Sequence, residues 1–316
     1  MEINTKHIPV LINETIDLLN LKDNSIYVDA TLGGGGYSQR ILALCKNSKL
    51  ISFEIDQNAY KNYLNALGNQ NPSSDITEIS KSSNTQYIVN KNFSELEEML
   101  STLKISKIDG LVADLGWSTD QLSSVEGMSF ENESDFLDMR FNKNLGVTAA
   151  DLLNALGKSE LKKIFMKYGD FSDAESSYLV NAILEKRKRH IFDQVQYLNQ
   201  VIESTFANAK GRSNKNINQT KARIYQSLRI AVNSEYDNLN ELLNAGFSLL
   251  NKSGRIVIVT FHSGEAKIVE EFINQHKKEL DILSKTNAGD YITPTFEEIK
   301  NNNKSRSAKL WAIEKL

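Results

Sequence analysis

Four consecutive glycines at positions 33–36 follow a short apolar run that ends in an acid, Tyr27-Val-Asp29-Ala-Thr31-Leu. A strand that turns into a helix through such a run can bring its backbone close to a ligand, because no Cβ intrudes. The turn commits this part of the chain to a strand–helix unit, and the acid narrows what the unit can hold. A dinucleotide loop offers amides to a pyrophosphate, which a carboxylate at the strand end would repel. S-adenosylmethionine is instead cationic at its ammonium and its sulfonium, and Asp29 complements both. The spacing Asp29-x-Thr31-x-Gly33-x-Gly35 is that of an acidic-x-Gly-x-Gly-x-Gly loop, with Thr31 in place of the first glycine. Alone, the loop leaves a nucleotide site or a purely structural turn open.

The pattern around it extends the same reading. Apolar runs predict strands at 26–31, 50–55, 86–91, 108–115 and 255–261, with antiparallel additions near 280–286 and 307–315. Helices are expected near 36–46, 57–67, 93–103 and 234–250. This alternation predicts an α/β domain with a mostly parallel sheet. The polar stretch 71–84 reads as a surface excursion. Roughly 140 residues separate the fourth strand from the fifth, far beyond an ordinary crossover. Within them, 149–156, 159–168, 173–188 and 193–208 carry helical spacing and caps. The expectation is a Rossmann-like domain from 1–142 and 217–316, with an all-helical domain inserted at 143–216 and a polar return linker at 211–218.

Charge divides along the same lines. The 316-residue chain has a net charge of −3, which argues against indiscriminate nucleic-acid binding. Residues 1–142 carry 11 Lys/Arg and 20 Asp/Glu, whereas 143–232 carry 15 and 8. The middle is locally basic, notably Lys186-Arg-Lys-Arg189, and fits either a phosphate-bearing substrate or a solvated helix face. One cysteine, Cys45, excludes an intrachain disulfide and a cysteine-rich zinc site, and it reads as a small buried hydrophobe. No His/Asp/Glu cluster has metal-ligand spacing. No apolar run reaches the about eighteen residues of a membrane span, and Met1-Glu-Ile-Asn-Thr-Lys-His7 lacks the apolar core of a secretory signal. A cytoplasmic location follows as an expectation.

Ligands of open α/β sheets bind at the carboxyl ends of the strands. There the second strand offers Glu54, 19 residues after Gly35, as a carboxylate for ribose hydroxyls, in preference to Asp56, which points the same way further out or caps the next helix. Phe93 is placed to pack on an adenine or to enter the core. The fourth strand ends Asp114-Leu-Gly-Trp117-Ser-Thr. An acceptor there can hold the N–H of an exocyclic base amine, whose delocalised lone pair must pyramidalise before it attacks. Trp117 fits a stacking platform for a flipped base, or a core position. Phe136-Leu-Asp138-Met-Arg140 reads as a polar loop or an ion pair that fixes it. Arg223, Gln226, Arg229 and Asn233 lie near one helical stripe suited to phosphate and base contacts. The fifth strand ends Phe261-His262-Ser263, with His262 a substrate contact, a proton shuttle or a structural residue.

Taken together, these segments resemble the bacterial small-subunit ribosomal RNA cytosine-N4 methyltransferases. The matching motifs are His7-Ile-Pro-Val-Leu, Asp29-Ala-Thr-Leu-Gly-Gly-Gly-Gly, Asp114-Leu-Gly, Gln121-Leu with Gly127-Met-Ser-Phe130, and Leu137-Asp-Met-Arg140. The helix from Gln226 to Glu235, Phe261-His-Ser263 and Ser305-Arg-Ser-Ala308 complete the set. The resemblance implies a class I methyltransferase fold with an inserted RNA-recognition domain. It implies methyl transfer from S-adenosylmethionine to N4 of a cytosine in the decoding centre of 16S rRNA, with that RNA in the small subunit as partner and a homodimer as an open question. Carried over, Gly35, Gly36, Tyr37, Glu54, Phe93, Asp114 and Gln121 would contact the cofactor, beside Asp29 and Gly33. Catalysis would fall to Asp114, Trp117 and His262. Substrate contacts would fall to Asp138, Arg140, Arg223, Arg229, Asn233, Ser263 and Arg306. The chain departs from the family pattern at Tyr37 (usually His), Glu54 (usually Asp), Trp117 (usually Val) and Gly264 (usually Leu), which bears most on substrate contact. A non-catalytic RNA-binding factor on the same fold is the competing reading. A nicotinamide oxidoreductase is disfavoured by Asp29 and by Ser38 at the third glycine position.

Overall fold

A computed structural model describes residues 9–69, 75–117, 122, 125–206 and 214–316. Among them the strands are β1 (Ile26–Asp29), β2 (Lys49–Phe53), β3 (Ile76–Lys81), β4 (Asn84–Val89), β5 (Ile108–Asp114), β6 (Leu250–Thr260), β7 (Leu280–Ile282) and β8 (Lys309–Lys315). The helices, in chain order, are α1 (Ile12–Leu19), α2 (Gly36–Leu44), α3 (Gln57–Ala66), α4 (Leu96–Thr102), α5 (Ala149–Ala155) and α6 (Lys158–Gly169). They continue as α7 (Asp173–Arg187), α8 (Val195–Phe206), α9 (Asn214–Asn233), α10 (Glu235–Leu249), α11 (Ser263–His276) and α12 (Phe296–Asn301). The chain forms two compact units, residues 1–118 with 236–316, and residues 119–235.

The first unit is built on one eight-stranded sheet of order β3-β4-β2-β1-β5-β6-β8-β7. β4, β2, β1, β5 and β6 run parallel, and β8 is antiparallel to both β6 and β7. The central strands are buried along nearly their whole length, as expected of strands covered on both faces. Parallel pairing brings the carboxyl ends of β2, β1 and β5 side by side, with Asp29 opposite Ser52 on one neighbour and Val112 on the other. Cys45 is buried in the core beside Ile41 and Leu50. The stretch expected as a polar excursion contains β3, which pairs antiparallel with β4 and turns through Ser82 at φ +57°. Its alternating Ile76-Thr-Glu-Ile-Ser-Lys81 half-buries one face of an edge strand. α1 has no counterpart in the sequence reading.

The second unit is helical, and it is wider than the expected insertion at 143–216. Leu137 and Met139 on one side and Ile224 and Leu228 of α9 on the other share a single core with Phe165, Leu179 and Ile183. Capping boxes start α5 at Thr148, with Asp151, and α7 at Ser172, with Glu175. The expected return linker is helix from Asn214 onward, and residues 211–213 lie outside the described residues. No helix among the described residues is long and apolar enough to cross a membrane.

Candidate active site

Three adjacent strand ends each carry a buried carboxylate, and each carboxylate is used differently. Asp29, fully buried at the end of β1, accepts from the Thr31 amide at 3.1 Å and from Ser38 Oγ at 2.6 Å. Ser38 Oγ lies 2.8 Å from Ser52 Oγ, which accepts from Gln86 Nε2 at 3.0 Å, and Gln86 Oε1 accepts from the Tyr63 hydroxyl at 3.3 Å. Asp29 thus braces the glycine turn and α2 from inside. Glu54, just beyond β2, accepts from the Gly33 amide at 2.9 Å and from the Asp56 amide at 2.8 Å. Asp56 caps α3 by accepting from Asn58 N, as its spacing predicts. Asp114 closes β5, and its amide donates to Thr31 Oγ1 at 2.7 Å, tying that strand end to the loop after β1. Among the described residues its buried Oδ1 has no hydrogen-bond partner, although the Gly116 and Val10 amides also act on this carboxyl.

Burial pushes all three acids up, Asp29 to about 6 and Glu54 and Asp114 to about 7. Mutual repulsion adds to this: Asp29 raises both others, and Glu265 raises Asp114 as well. A cluster of buried acids that repel one another and leave one oxygen unpaired is complementary to a cation. It therefore fits an ammonium or sulfonium. Because each folded-state value is raised, the folded protein holds these protons more tightly than the unfolded chain. The stability they contribute is present at low pH and is lost as pH rises from about 4 through about 7. Thermal melts should show the cofactor-free protein losing stability between pH 5 and pH 8, roughly, with saturating S-adenosylmethionine adding most at the upper end. Equal ligand-induced shifts at both ends would refute this electrostatic account.

The glycines are required by what surrounds them. Gly35 sits at φ +80° as the cap of α2, and a Cβ there would lie 2.1 Å from the Tyr63 ring. A Cβ at Gly36 would lie 2.2 Å from Pro9. Tyr37 is turned into the core with Val10 and Ile41, and its hydroxyl donates to the Val10 carbonyl. Phe93, half-buried, opens a 3-10 turn before α4, capped by Asn92. Trp117 is half-buried beyond β5, and Gly116 meets Phe261 so closely that a Cβ would stand 2.6 Å from its ring. Gln121 and His7 lie outside the described residues.

At the end of β6, His262 caps α11. Its Nδ1 accepts from the Glu265 amide at 3.4 Å, and Nε2 lies 2.9 Å from Glu265 Oε1. Glu265 Oε2 accepts from the Phe261 amide at 2.8 Å. The imidazole packs against Tyr236 at 5.8 Å between ring centres. Gly264 is what admits that ring, since a Cβ there would stand 1.7 Å from the Tyr236 hydroxyl. Ser263 is exposed and lines a cavity of about 450 Å³ with Tyr291, Lys309 and Trp311. Arg306 is exposed in the turn Asn303–Ser307. Sequence reasoning missed Glu265 as a partner of His262, although His262-x-x-Glu265 has the spacing of a capping box. It also missed Thr31, Ser38 and Tyr63, which only the pairing of distant strands brings together.

Five residues expected at the substrate have side-chain partners within the helical unit. Arg223 donates to the carbonyls of Gly169 and Asp170 and lies over the Phe171 ring, so it caps the end of α6. Arg229 makes a two-pronged pair with Glu235 at 2.8 and 3.1 Å. Asn233 accepts from the Phe141 amide and donates to the Met139 carbonyl, pinning that segment to α9. Asp138, nearly fully buried, is held by Arg140 and Lys143, and Arg140 also donates to the Lys143 and Leu145 carbonyls. The stripe is polar because it ties helices and loops together. Among the described residues no group of three or more His, Cys, Asp or Glu side chains could hold a metal ion.

A doubly wound parallel sheet, an antiparallel strand set inside its far edge and acids at three central strand ends define a class I methyltransferase. The profile of the MraW methylase family matches residues 4–316. The chain is 37% identical to the ribosomal RNA small subunit methyltransferase H of Caldicellulosiruptor saccharolyticus, over 98% of this chain and 99% of that protein. It is 36% identical to ribosomal RNA small subunit methyltransferase H 1 of Acholeplasma laidlawii, with the same coverage. The chain belongs to the MraW methylase family and is a methyltransferase.

Proposed function

We propose that this protein methylates N4 of a cytosine in the decoding centre of small-subunit ribosomal RNA. The observation that carries this reading is Asp114, whose buried Oδ1 has no hydrogen-bond partner among the described residues and stands at the end of the central strand β5. The names of the full-length relatives support the RNA substrate. S-adenosylmethionine, when bound, supplies a methyl carbon made electrophilic by its sulfonium. Gly33 would admit it closely, Gly35 and Gly36 would hold the turn around it, Glu54 would take its ribose hydroxyls and Phe93 would cover its adenine. Asp114 Oδ1 would accept one N–H of the cytosine amine and so turn the nitrogen lone pair out of the ring plane. Burial raises Asp114 to about 7, which also suits it to take the proton that this nitrogen loses on methylation. Trp117 would stack the base, and His262, fixed by Glu265, would line the same strand end. Ser263 and Arg306 would meet flanking RNA, and the helical unit would recognise the folded substrate.

The deciding measurement is nucleoside mass spectrometry of small-subunit particles and naked 16S RNA, each incubated with the protein and labelled cofactor. The expected product is N4-methylcytidine at one position. Label on another base, or none on either substrate, would remove this assignment. RNA binding without methyl transfer would favour a non-catalytic factor.

A further inference from the structure

The Lys186-Arg-Lys-Arg189 run divides into Arg187, which is spent on backbone carbonyls, and three cations whose charge stays largely available. Arg187 donates to the carbonyls of Leu153, Asn154 and Leu156, closing the end of α5. Among the described residues Lys186 donates to a neutral acceptor, Gln200 Oε1 at 3.0 Å, and its ammonium also lies 5.7 Å from the centre of the Tyr197 ring. Lys188 pairs with Glu185, but both side chains are mostly exposed, so the pair leaves its charge largely available. Arg189 is exposed beyond the end of α7. Helix C-termini attract cations, but that preference is a weak force confined to the last turn. It gives no account of what lies beside these cations. His190, exposed in the turn after α7, stacks nearly parallel on Tyr197 of α8, with 5.9 Å between centres and 10° between planes. Ile191 next to it is 66% exposed.

We propose that Lys186, Lys188, Arg189 and the His190–Tyr197 stack form a docking surface for single-stranded RNA. Cations spaced along a turn meet successive phosphodiesters, and an exposed imidazole stacked on a tyrosine ring offers a surface on which an unpaired base can stack. A duplex keeps its base faces covered, so the stack selects unpaired RNA. The proposal rests on the reading of the protein as an RNA methyltransferase and assigns the contact to a defined surface of its helical unit.

Fluorescence anisotropy of the whole protein tests this, with a labelled unstructured RNA of about fifteen nucleotides and a hairpin of the same composition as probes. The double variant K188A/R189A should lower the slope of log affinity against log salt by about 1.4. His190→Ala should weaken single-strand binding about 5- to 100-fold and leave hairpin binding little changed. All three positions are exposed, and circular dichroism should show unchanged helix content. Unchanged affinity and salt slope in both variants would overturn the surface. So would hairpin binding as tight as single-strand binding. If the unaltered protein binds and methylates RNA while the variants match it, only the surface falls. If it does neither, the RNA reading falls with it.

Discussion

Asp114→Asn is expected to lower methyl transfer by a factor on the order of 10² to 10⁴ while the fold persists. The amide is nearly the same size as the carboxyl, so the packing around β5 need not change. What it loses is the anionic acceptor. A carboxamide oxygen can still receive an N–H, but it cannot take a proton. The substitution also carries a signature that a merely damaged site would lack. Burial and the neighbouring Asp29 and Glu265 hold Asp114 at about 7, so above that value the folded protein carries a charge that is costly to bury. Removing it should stabilise the cofactor-free protein at pH 8, by a gain on the order of 1–3 kcal/mol that fades toward pH 4. Single-turnover rates and paired melts at the two pH values check both halves. Activity within threefold or so of the parent, or a melting temperature lowered at pH 8, would remove Asp114 from the role proposed for it.

Gly35→Ala is expected to be the most damaging change in the glycine loop. Residue 35 lies at φ +80°, which costs a residue with a Cβ about 1 kcal/mol, and that Cβ would meet the buried Tyr63 ring at 2.1 Å. Tyr63 has little room to yield, because its hydroxyl belongs to the polar chain through Gln86, Ser52 and Ser38 to Asp29. Overpacking and backbone strain together should cost about 2–4 kcal/mol and loosen the cofactor's seat as well. Gly33→Ala is the matched control. It sits at φ +48° with no atom nearer than 3.9 Å, so it should suffer the strain without the collision. Urea denaturation of the two variants should separate them by roughly 1–3 kcal/mol. Equal losses would mean that the contact with Tyr63 is not what requires glycine at position 35.

Much of the fold could be read from local pattern, because the parallel strands are continuous apolar runs and the glycine turn marks where a ligand approaches. Glu54 and Asp114 were recognisable for the same reason, since a carboxylate at the end of a buried strand stands out against its neighbours. The remainder failed for identifiable reasons. β3 has only three apolar or β-branched positions in an otherwise polar stretch, and it exists because β4 offers a pairing edge. The Arg223–Asn233 stripe has the composition of a nucleic-acid face, but hydrogen bonds to helix ends and to the 139–141 segment call for the same side chains. Periodicity locates a polar stripe and does not say whether its partners are RNA or the protein's own carbonyls. Tyr37 is similar, an ordinary helix-start residue until the fold brings the Val10 carbonyl within its reach.

The position of β8 between β6 and β7 has a consequence for synthesis. A chain emerging from the ribosome can complete the core of residues 119–235 from contiguous sequence. The sheet that holds Asp29, Glu54 and Asp114 must instead wait for residues 309–315 before β6 gains its second neighbour. Until then β6 presents an unpaired, largely apolar edge, the kind of surface that recruits chaperones or other nascent chains. The helical unit is therefore expected to become protease-resistant during translation, well before the catalytic sheet does.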